Sequence, residues 1–294
     1  MNPITATILG ESMKLTLQHE QQAVTCDTRN ASSIAITLDF SGPQPNHFGT
    51  EQAKEVVLKL GSFTGDTSVG GSCNVDTLSM IPHCNGTHTE TISHIVNEDI
   101  WIGHAAMDSL MVAVLISVRP VPVSRLSIAE KKEVYRPQLD ADDQVVTAKM
   151  LESGFKQVSL EDTKPTALVI RTLPNDADKK TRAYGEKFSP AFFTVDAMQS
   201  IIDAGVQHLL VDLPSVDRMY DDGLLTNHHL FWNVPEETHS VAADSRQDKT
   251  ITEMVYVDDD LKDGLYVLNL QIPAFGSDAA PSRPMLFPAT FESE

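Results

Sequence analysis

Over residues 33–40, Ile34, Ile36, Leu38 and Phe40 alternate with small or polar side chains, which is the period of a half-buried strand. Aliphatic runs at 110–118, 166–173 and 207–213 are short and bounded by Pro, Asp or Gly, as strands buried in a sheet are. Two more strands are expected at 253–257 and 265–272. The clearest helix spans 195–204: Thr194 stands at the N-cap, Ala197, Met198, Ile201 and Ile202 form one apolar stripe, and Gly205 sits where a helix stops. A second helix is expected around 145–154, and the polar stretch 174–186 reads as a loop. Helix and strand alternate in the middle while strands dominate both ends, so the pattern predicts a mixed α/β fold rather than a regular parallel one. No internal repeat, low-complexity tract or linker interrupts the chain, which implies a single domain over 1–294.

Composition narrows the partners. Of the 294 residues 41% are hydrophobic and 21% charged, as in a folded globular protein. Forty-one acidic against 22 basic residues leave a net charge of −19, which repels polyanions and argues against nucleic acid or an anionic membrane as partner. A small-molecule substrate fits better. The acidic excess is spread over 139–143, 160–162 and 258–260, the distribution of a solvated surface. The start, Met1 to Ile8, lacks a basic region followed by an apolar stretch, and the longest apolar run, Met111–Val118, falls short of the roughly 20 residues that cross a bilayer. A cytoplasmic location is therefore expected. Three cysteines, Cys26, Cys73 and Cys84, suggest no disulfide framework, and in the cytoplasm Asn85-Gly86-Thr87 is a sequon without meaning.

The chemistry concentrates in twelve residues, 83–94, which hold His83, Cys84, His88, Glu90 and His94. In an extended segment Cys84, His88, Glu90 and His94, separated by even numbers of residues, project to one side, and His83 to the other. Imidazole, thiolate and carboxylate are the protein donors for zinc, and imidazole with carboxylate also suits manganese or iron. Asn85-Gly86 supplies a turn that lets the backbone bend around an ion. Spacing alone equally allows a polar surface loop after Pro82.

Gly86-Thr-His-Thr-Glu-Thr-Ile-Ser-His94 resembles the signature H-x-G-T-H-x-D-x-P-x-H of the cyclase family of metal-dependent hydrolases, which includes kynurenine formamidases and isatin hydrolases. Four further blocks follow in family order: Asp212-Leu-Pro-Ser-Val-Asp217, resembling D-x-P-S-x-D; His228-His-Leu-Phe-Trp232; Thr252-Glu-Met254; and Gly276 to Leu286. The resemblance implies a swivelling β/β/α fold, usually dimeric or tetrameric, and one or two divalent ions. It implies His88, Glu90, His228 and Glu253 as metal ligands, the two glutamates bridging, and His94 as proton donor and acceptor. His228 is preferred to His229 because the following apolar residues then keep the family offset. Cys84 occupies the first ligand position, with His83 one place early; a thiolate there biases the site toward zinc over manganese. Phe63 in Phe63-Thr-Gly-Asp66 is implied as a substrate-pocket wall, and Arg283 as a partner for a substrate carboxylate or a structural residue. Three departures stand out: Glu90 replaces the family aspartate, Ile92 replaces the proline, and Asn233 to Ile251 reads as an insertion. The implied reaction is hydrolysis of an amide, formamide or lactam by metal-activated water. Two rivals are a cysteine hydrolase using Cys84 with His88 or His94 as base, which leaves Glu90 and Glu253 unexplained, and a family member that binds metal without catalysis.

Overall fold

The computed structural model describes residues 13–105, 110–127, 136–160 and 163–292. The first eight residues, read above for a leader, lie outside these, as do Glu161 and Asp162 of one acidic stretch. One large sheet is built from β1 (Lys14–His19), β2 (Gln22–Asp27), β3 (His88–Glu90), β4 (Leu110–Val118), β5 (Ala167–Thr172), β6 (His208–Val211), β7 (Thr250–Glu253), β8 (Gly264–Gln271), β9 (Ala279–Pro281) and β10 (Arg283–Phe291). Its order is β1-β2-β10-β8-β4-β5-β6-β7-β3-β9. The central four, β4 to β7, run parallel. The strands on either side pair antiparallel. Four helices matter below: α1 (Pro82–Asn85), α2 (Ala148–Gln157), α3 (Val195–Asp203) and α4 (Thr226–Trp232). This is the mixed α/β architecture that the pattern predicted.

The uninterrupted apolar runs are explained by burial on both faces of the parallel strands. Val114, Ile116, Leu168, Ile170, Leu209 and Val211 pack on one face with Leu151 of α2 and Ala197, Met198 and Ile201 of α3. The alternate residues Ala113, Leu115, Ala167, Val169 and Leu210 pack on the other with Val255, Leu268 and Leu286. At their carboxyl ends β5 and β6 are tied by a buried charge pair. Asp212 accepts from the Thr172 N–H (2.8 Å) and hydroxyl (2.9 Å) and from Lys179 Nζ (2.8 Å), so no lone carboxylate is sealed in.

Several expectations need correction. Of the 33–40 stretch only Ser33 lies in a strand, the two-residue Ser32–Ser33 beside β10. Beyond it the backbone is satisfied by three different elements: Ile34 N–H donates to Pro284 O (3.0 Å), Tyr256 N–H to Ile34 O (2.8 Å) and Ile36 N–H to Thr87 Oγ1 (2.8 Å). The burial alternates as predicted, but no ladder forms. The strand expected at 253–257 ends instead at Glu253, because Met254 takes a left-handed φ of 52°. The helix expected at 145–154 starts at Ala148, since Gln144–Val146 is a short strand pairing with Phe192–Phe193. Thr194 stands at the N-cap of α3 but does not cap it; its hydroxyl donates to Val146 O (3.2 Å) and bonds Asp196. Gly205 ends the segment as expected, with φ 79° and its N–H on Ile202 O at 2.9 Å.

Helix α2 approaches β4 through Gly154, where an added Cβ would stand 3.1 Å from Ile116 Cβ and 3.2 Å from its Cδ1. Gly154→Val should therefore cost about 1–3 kcal/mol by overpacking. Combined with Ile116→Ala it should cost less than the sum of the two single changes, which urea melts in a double-mutant cycle would read; strict additivity would place the two residues out of contact.

Candidate metal centre

Strand β3 is three residues long, lies between β7 and β9, and is fully buried. Alternation sends Thr89 to one face, where its hydroxyl meets Thr252 Oγ1 and Ser282 Oγ, each at 2.8 Å, and so clamps the strand to both neighbours. His88 and Glu90 point to the opposite face. There the register sets His88 beside Glu253, the last residue of β7. His88 Nδ1 lies 2.9 Å from the Gly86 carbonyl, which can only accept, so Nδ1 donates there and Nε2 is the ring nitrogen left to face the cluster. That Nε2 stands 3.5 Å from Glu253 Oε2.

Other elements bring further donors to Glu90. His228 on α4 has Nε2 2.8 Å from Glu90 Oε1 and 3.7 Å from Glu253 Oε1. Asp217 sets its position. One carboxylate oxygen accepts from the Asn227 N–H (2.7 Å), and the other from the His228 N–H (3.1 Å) and ring Nδ1 (2.6 Å), so Asp217 both caps α4 and aims the imidazole. Glu253 Oε1 is itself held by the Val216 N–H at 2.9 Å. On the other side His83 Nδ1 lies 2.9 Å from Glu90 Oε2 and its Nε2 lies 2.8 Å from Asp278 Oδ2. His94 stacks on His83 at 4.2 Å, with Nε2 4.0 Å from Glu90 Oε2 and Nδ1 3.6 Å from Asp278 Oδ2.

Two sets of side chains have donor atoms close enough to share an ion: His83, Glu90 and His94, and His88, Glu90 and Glu253. Glu90 belongs to both. His88 Nε2 and Glu90 Oε2 are buried and lack an aligned hydrogen bond, although donors and acceptors surround them. Ligands that converge on a third atom leave such a pattern, so the residues fit a divalent ion, and Glu90 fits the bridge between two. Without an ion, protons supply the positive charge. Burial opposes charging His83, but Asp278 and Glu90 outweigh it and raise its pKa to about 10. His228 is likewise held well above its ordinary value against burial, by Glu90 and Asp217. Glu90 resists the burial that would raise its pKa, because the His94 and His228 charges hold it well below the carboxylate range.

Residues 13–218 match the family described as "Putative cyclase". The chain belongs to the cyclase family. The match ends before α4, so His228 and Glu253 lie beyond it. Among solved structures of similar fold, an isatin hydrolase bound to the product analogue thioisatinate shares 15% identity at a TM-score of 0.57, over 90% of this chain and 94% of that one. A novel cyclase shares 14% at 0.55, over 87% and 86%. Isatin hydrolase A from Labrenzia aggregata bound to benzyl benzoate shares 15% at 0.54, over 87% and 93%. No curated protein matches the sequence.

Within this cyclase-family chain, His88, Glu90, His94, His228 and Glu253 lie in one cluster. His229 turns away, its Nδ1 3.0 Å from Val234 O. The expectation that His83 points away from the cluster is overturned. Residues 82–85 form the helical turn α1, not an extended segment, so the even-number rule fails there. His83 enters the cluster, and Cys84 is in neither donor set. Burial pushes the Cys84 thiol up and the Glu253 charge pushes it further, while the Thr50 hydroxyl offsets only part of this, so the net shift works against a thiolate ligand or nucleophile. Phe63 lies half-buried on a short hairpin of an exposed arm and not among the side chains around Glu90. Arg283 is exposed and lines a separate cavity with Lys180 and Tyr256.

Sequence reasoning missed Asp278, which carries the outer side of the cluster; its only signal was its place inside the Gly276–Leu286 block. His83, hydrogen-bonded, and then His94 hold its carboxyl well below the usual range. Also missed was His47, buried behind α1 with its N–H on Cys84 O at 3.0 Å. Burial first, and His88 second, push its pKa down to about 4, so it is neutral.

His83→Ala should weaken ion binding by roughly tenfold or more while Cys84→Ser leaves it nearly unchanged, read by competition with a chromogenic chelator. The reverse order would restore the thiolate as ligand. Because His83 and His228 hold protons at pH 7 that an ion must displace, affinity should rise with pH, by about tenfold per pH unit for each proton displaced. The same titration at pH 6, 7 and 8 checks this, and a flat profile would show that these rings are already neutral.

Proposed function

We propose that this protein is a metal-dependent hydrolase that cleaves the C–N bond of an amide, formamide or lactam in a small molecule. The observation that carries the reading is Glu90, a buried carboxylate shared by two donor sets, whose Oε2 and the neighbouring His88 Nε2 are both buried without an aligned hydrogen bond. Zinc and manganese both suit imidazole and carboxylate donors; with Cys84 outside the set, thiolate softness no longer favours zinc. When bound, such an ion lowers the pKa of water into the neutral range and polarises a carbonyl.

The chain's own residues divide the remaining work. His88, Glu90, His228 and Glu253 are sealed, with side chains at most 4% exposed, whereas His83, His94 and Asp278 are 24%, 26% and 39% exposed. Substrate therefore approaches over His83, His94 and Asp278. His94, backed by Asp278, is placed to take a proton from the attacking water and deliver it to the leaving nitrogen. His228 is aimed by Asp217 and His88 by the Gly86 carbonyl, so both rings are oriented before substrate arrives.

The reading extends to the chain as a single-domain unit in a homodimer or homotetramer in the cytoplasm. Supporting an assembly, Lys54–Val57 and Asp76–Ser79 pair as an arm whose Val56 and Leu78, with Leu60 and Val69 between them, are exposed, and an isolated two-stranded ribbon gains little stability without a surface to pack on. Among the described residues, no helix is long and apolar enough to cross a membrane.

Purified protein should hold one or two divalent ions per chain and hydrolyse members of a panel of N-formyl anilines and cyclic aryl amides. Chelation should abolish turnover and zinc or manganese restore it. His94→Ala should keep its ions yet lose roughly 100-fold in turnover. Less than about one tenth of an ion per chain after supplementation would sink the reading; full occupancy with no turnover on any substrate would leave a metal-binding protein without catalysis.

A further inference from the structure

A second cavity, of about 600 Å³, opens at the carboxyl ends of the parallel strands β4, β5 and β6, where Arg119, Thr172 and Leu213 emerge. Its size lies within the ~300–1,000 Å³ of small-molecule pockets, and the carboxyl edge of an open α/β sheet is where ligands sit. None of the side chains around Glu90 lines it. The two sites share one edge of the sheet but no residue.

Its charge is opposite to that of the molecule. In a chain of net charge −19, Arg119, Arg125, Lys179 and Arg182 line this one cavity against a single lining carboxylate, Asp176. The four cations differ in how far they are committed. Lys179 is used structurally, with Nζ 2.6 Å from Thr172 O and 2.8 Å from Asp212 Oδ2. Arg182 is partly used: its Nη2 bonds Asp178 and lies 3.7 Å from Asp176, while its Nε is buried with no hydrogen-bond partner. Arg119 and Arg125 are exposed and form no ion pair among the described residues. Unspent donors of one sign, gathered in a concave low-dielectric wall, focus a field that attracts an anion even on an acidic protein.

The rest of the wall specifies what the anion is attached to. Phe188 lies under the Arg182 guanidinium at 4.3 Å, and Pro174, Pro190 and Leu213 add rigid apolar surface. A bare inorganic anion would leave that surface uncovered. A flat apolar body would cover it and remove it from water. We propose that this cavity binds a small organic carboxylate with an aromatic or cyclic apolar body, at a site separate from the metal centre. The carboxylate pairs with Arg119 and Arg125 beside the Arg182 guanidinium, and the ring packs on Phe188 and the prolines.

Calorimetric titration with phenylacetate, on the metal-loaded protein and again after chelation, tests the proposal. Acetate and inorganic phosphate serve as comparison ligands. Phenylacetate should bind both forms alike, more tightly than acetate or phosphate, and more weakly as salt is raised. Arg119→Gln combined with Arg125→Gln changes two exposed side chains and should weaken binding by about tenfold or more. Arg182→Gln should weaken it too, with a circular dichroism melt separating lost binding from lost fold. Absence of binding at millimolar ligand would overturn the proposal, as would binding that vanishes on chelation or is unchanged in the double variant, either of which would assign the carboxylate to the metal centre. Phosphate binding more tightly than phenylacetate would overturn the apolar body.

Discussion

A carboxylate with no exposure to solvent sits on the second strand from one edge of the large sheet, and most of the surrounding structure can be understood as the means of keeping it there. Glu90 is on an inner strand, and an ionised carboxylate out of water is tolerated only when compensated by opposite charge or by a metal. Compensation comes from every side and from remote parts of the chain: His83 from the turn before the strand, His94 from the turn after it, and His228 from α4. A cluster able to hold protons on its imidazoles or an ion between its donors satisfies that carboxylate in either condition, because the two forms of positive charge substitute for each other.

The scaffold needed to hold such a cluster explains features with no direct part in it. Thr89, pointing away from the site, is bonded to Thr252 of β7 and to Ser282 just past β9 and fixes the plane in which His88 and Glu90 project. Asp212 and Asp217, five residues apart, divide two structural tasks. The first ties the ends of β5 and β6 through a buried lysine, and the second caps α4 and aims His228. The stretch after α4 is also put to use. Arg246 bonds the carbonyls of Leu230 and Phe231, and the Lys249 carbonyl accepts from the Trp232 indole, so residues 233–251 close the end of the helix that carries His228.

Charge is distributed by function rather than evenly. The acidic exterior has its opposite in the arginine-lined cavity on the same sheet edge, while the metal cluster pairs its carboxylates with histidines. The histidines differ in environment and hence in proton affinity. His83 and His228, flanked by carboxylates, are pushed up, whereas His47, buried near His88 and with no hydrogen-bond partner for Nδ1 among the described residues, is pushed down.

Local pattern determined what depends on neighbours in sequence. The apolar runs of β4, β5, β6 and β8, the stripe of α3 and its glycine stop were legible because burial on a sheet or helix face repeats with a fixed period. The cluster was legible for the same reason that a motif works at all: His88, Glu90 and His94 lie within one short segment, and the resemblance of further blocks added His228 and Glu253. Tertiary structure alone decided the rest. Whether His83 or Cys84 faced the ion site turned on a single helical turn at 82–85, where a residue rotates by about 100° rather than 180° and the alternation rule no longer applies. The 33–40 stretch kept its alternating burial yet made no ladder, because its hydrogen-bond partners came from three distant segments. Asp278 carries no periodic mark, and it joins His83 and His94 only because the backbone before β9 returns to Thr91, whose N–H reaches the Asp278 carbonyl at 3.0 Å. Contacts between residues almost two hundred positions apart are fixed by how the sheet closes, and a one-dimensional pattern holds no record of that closure.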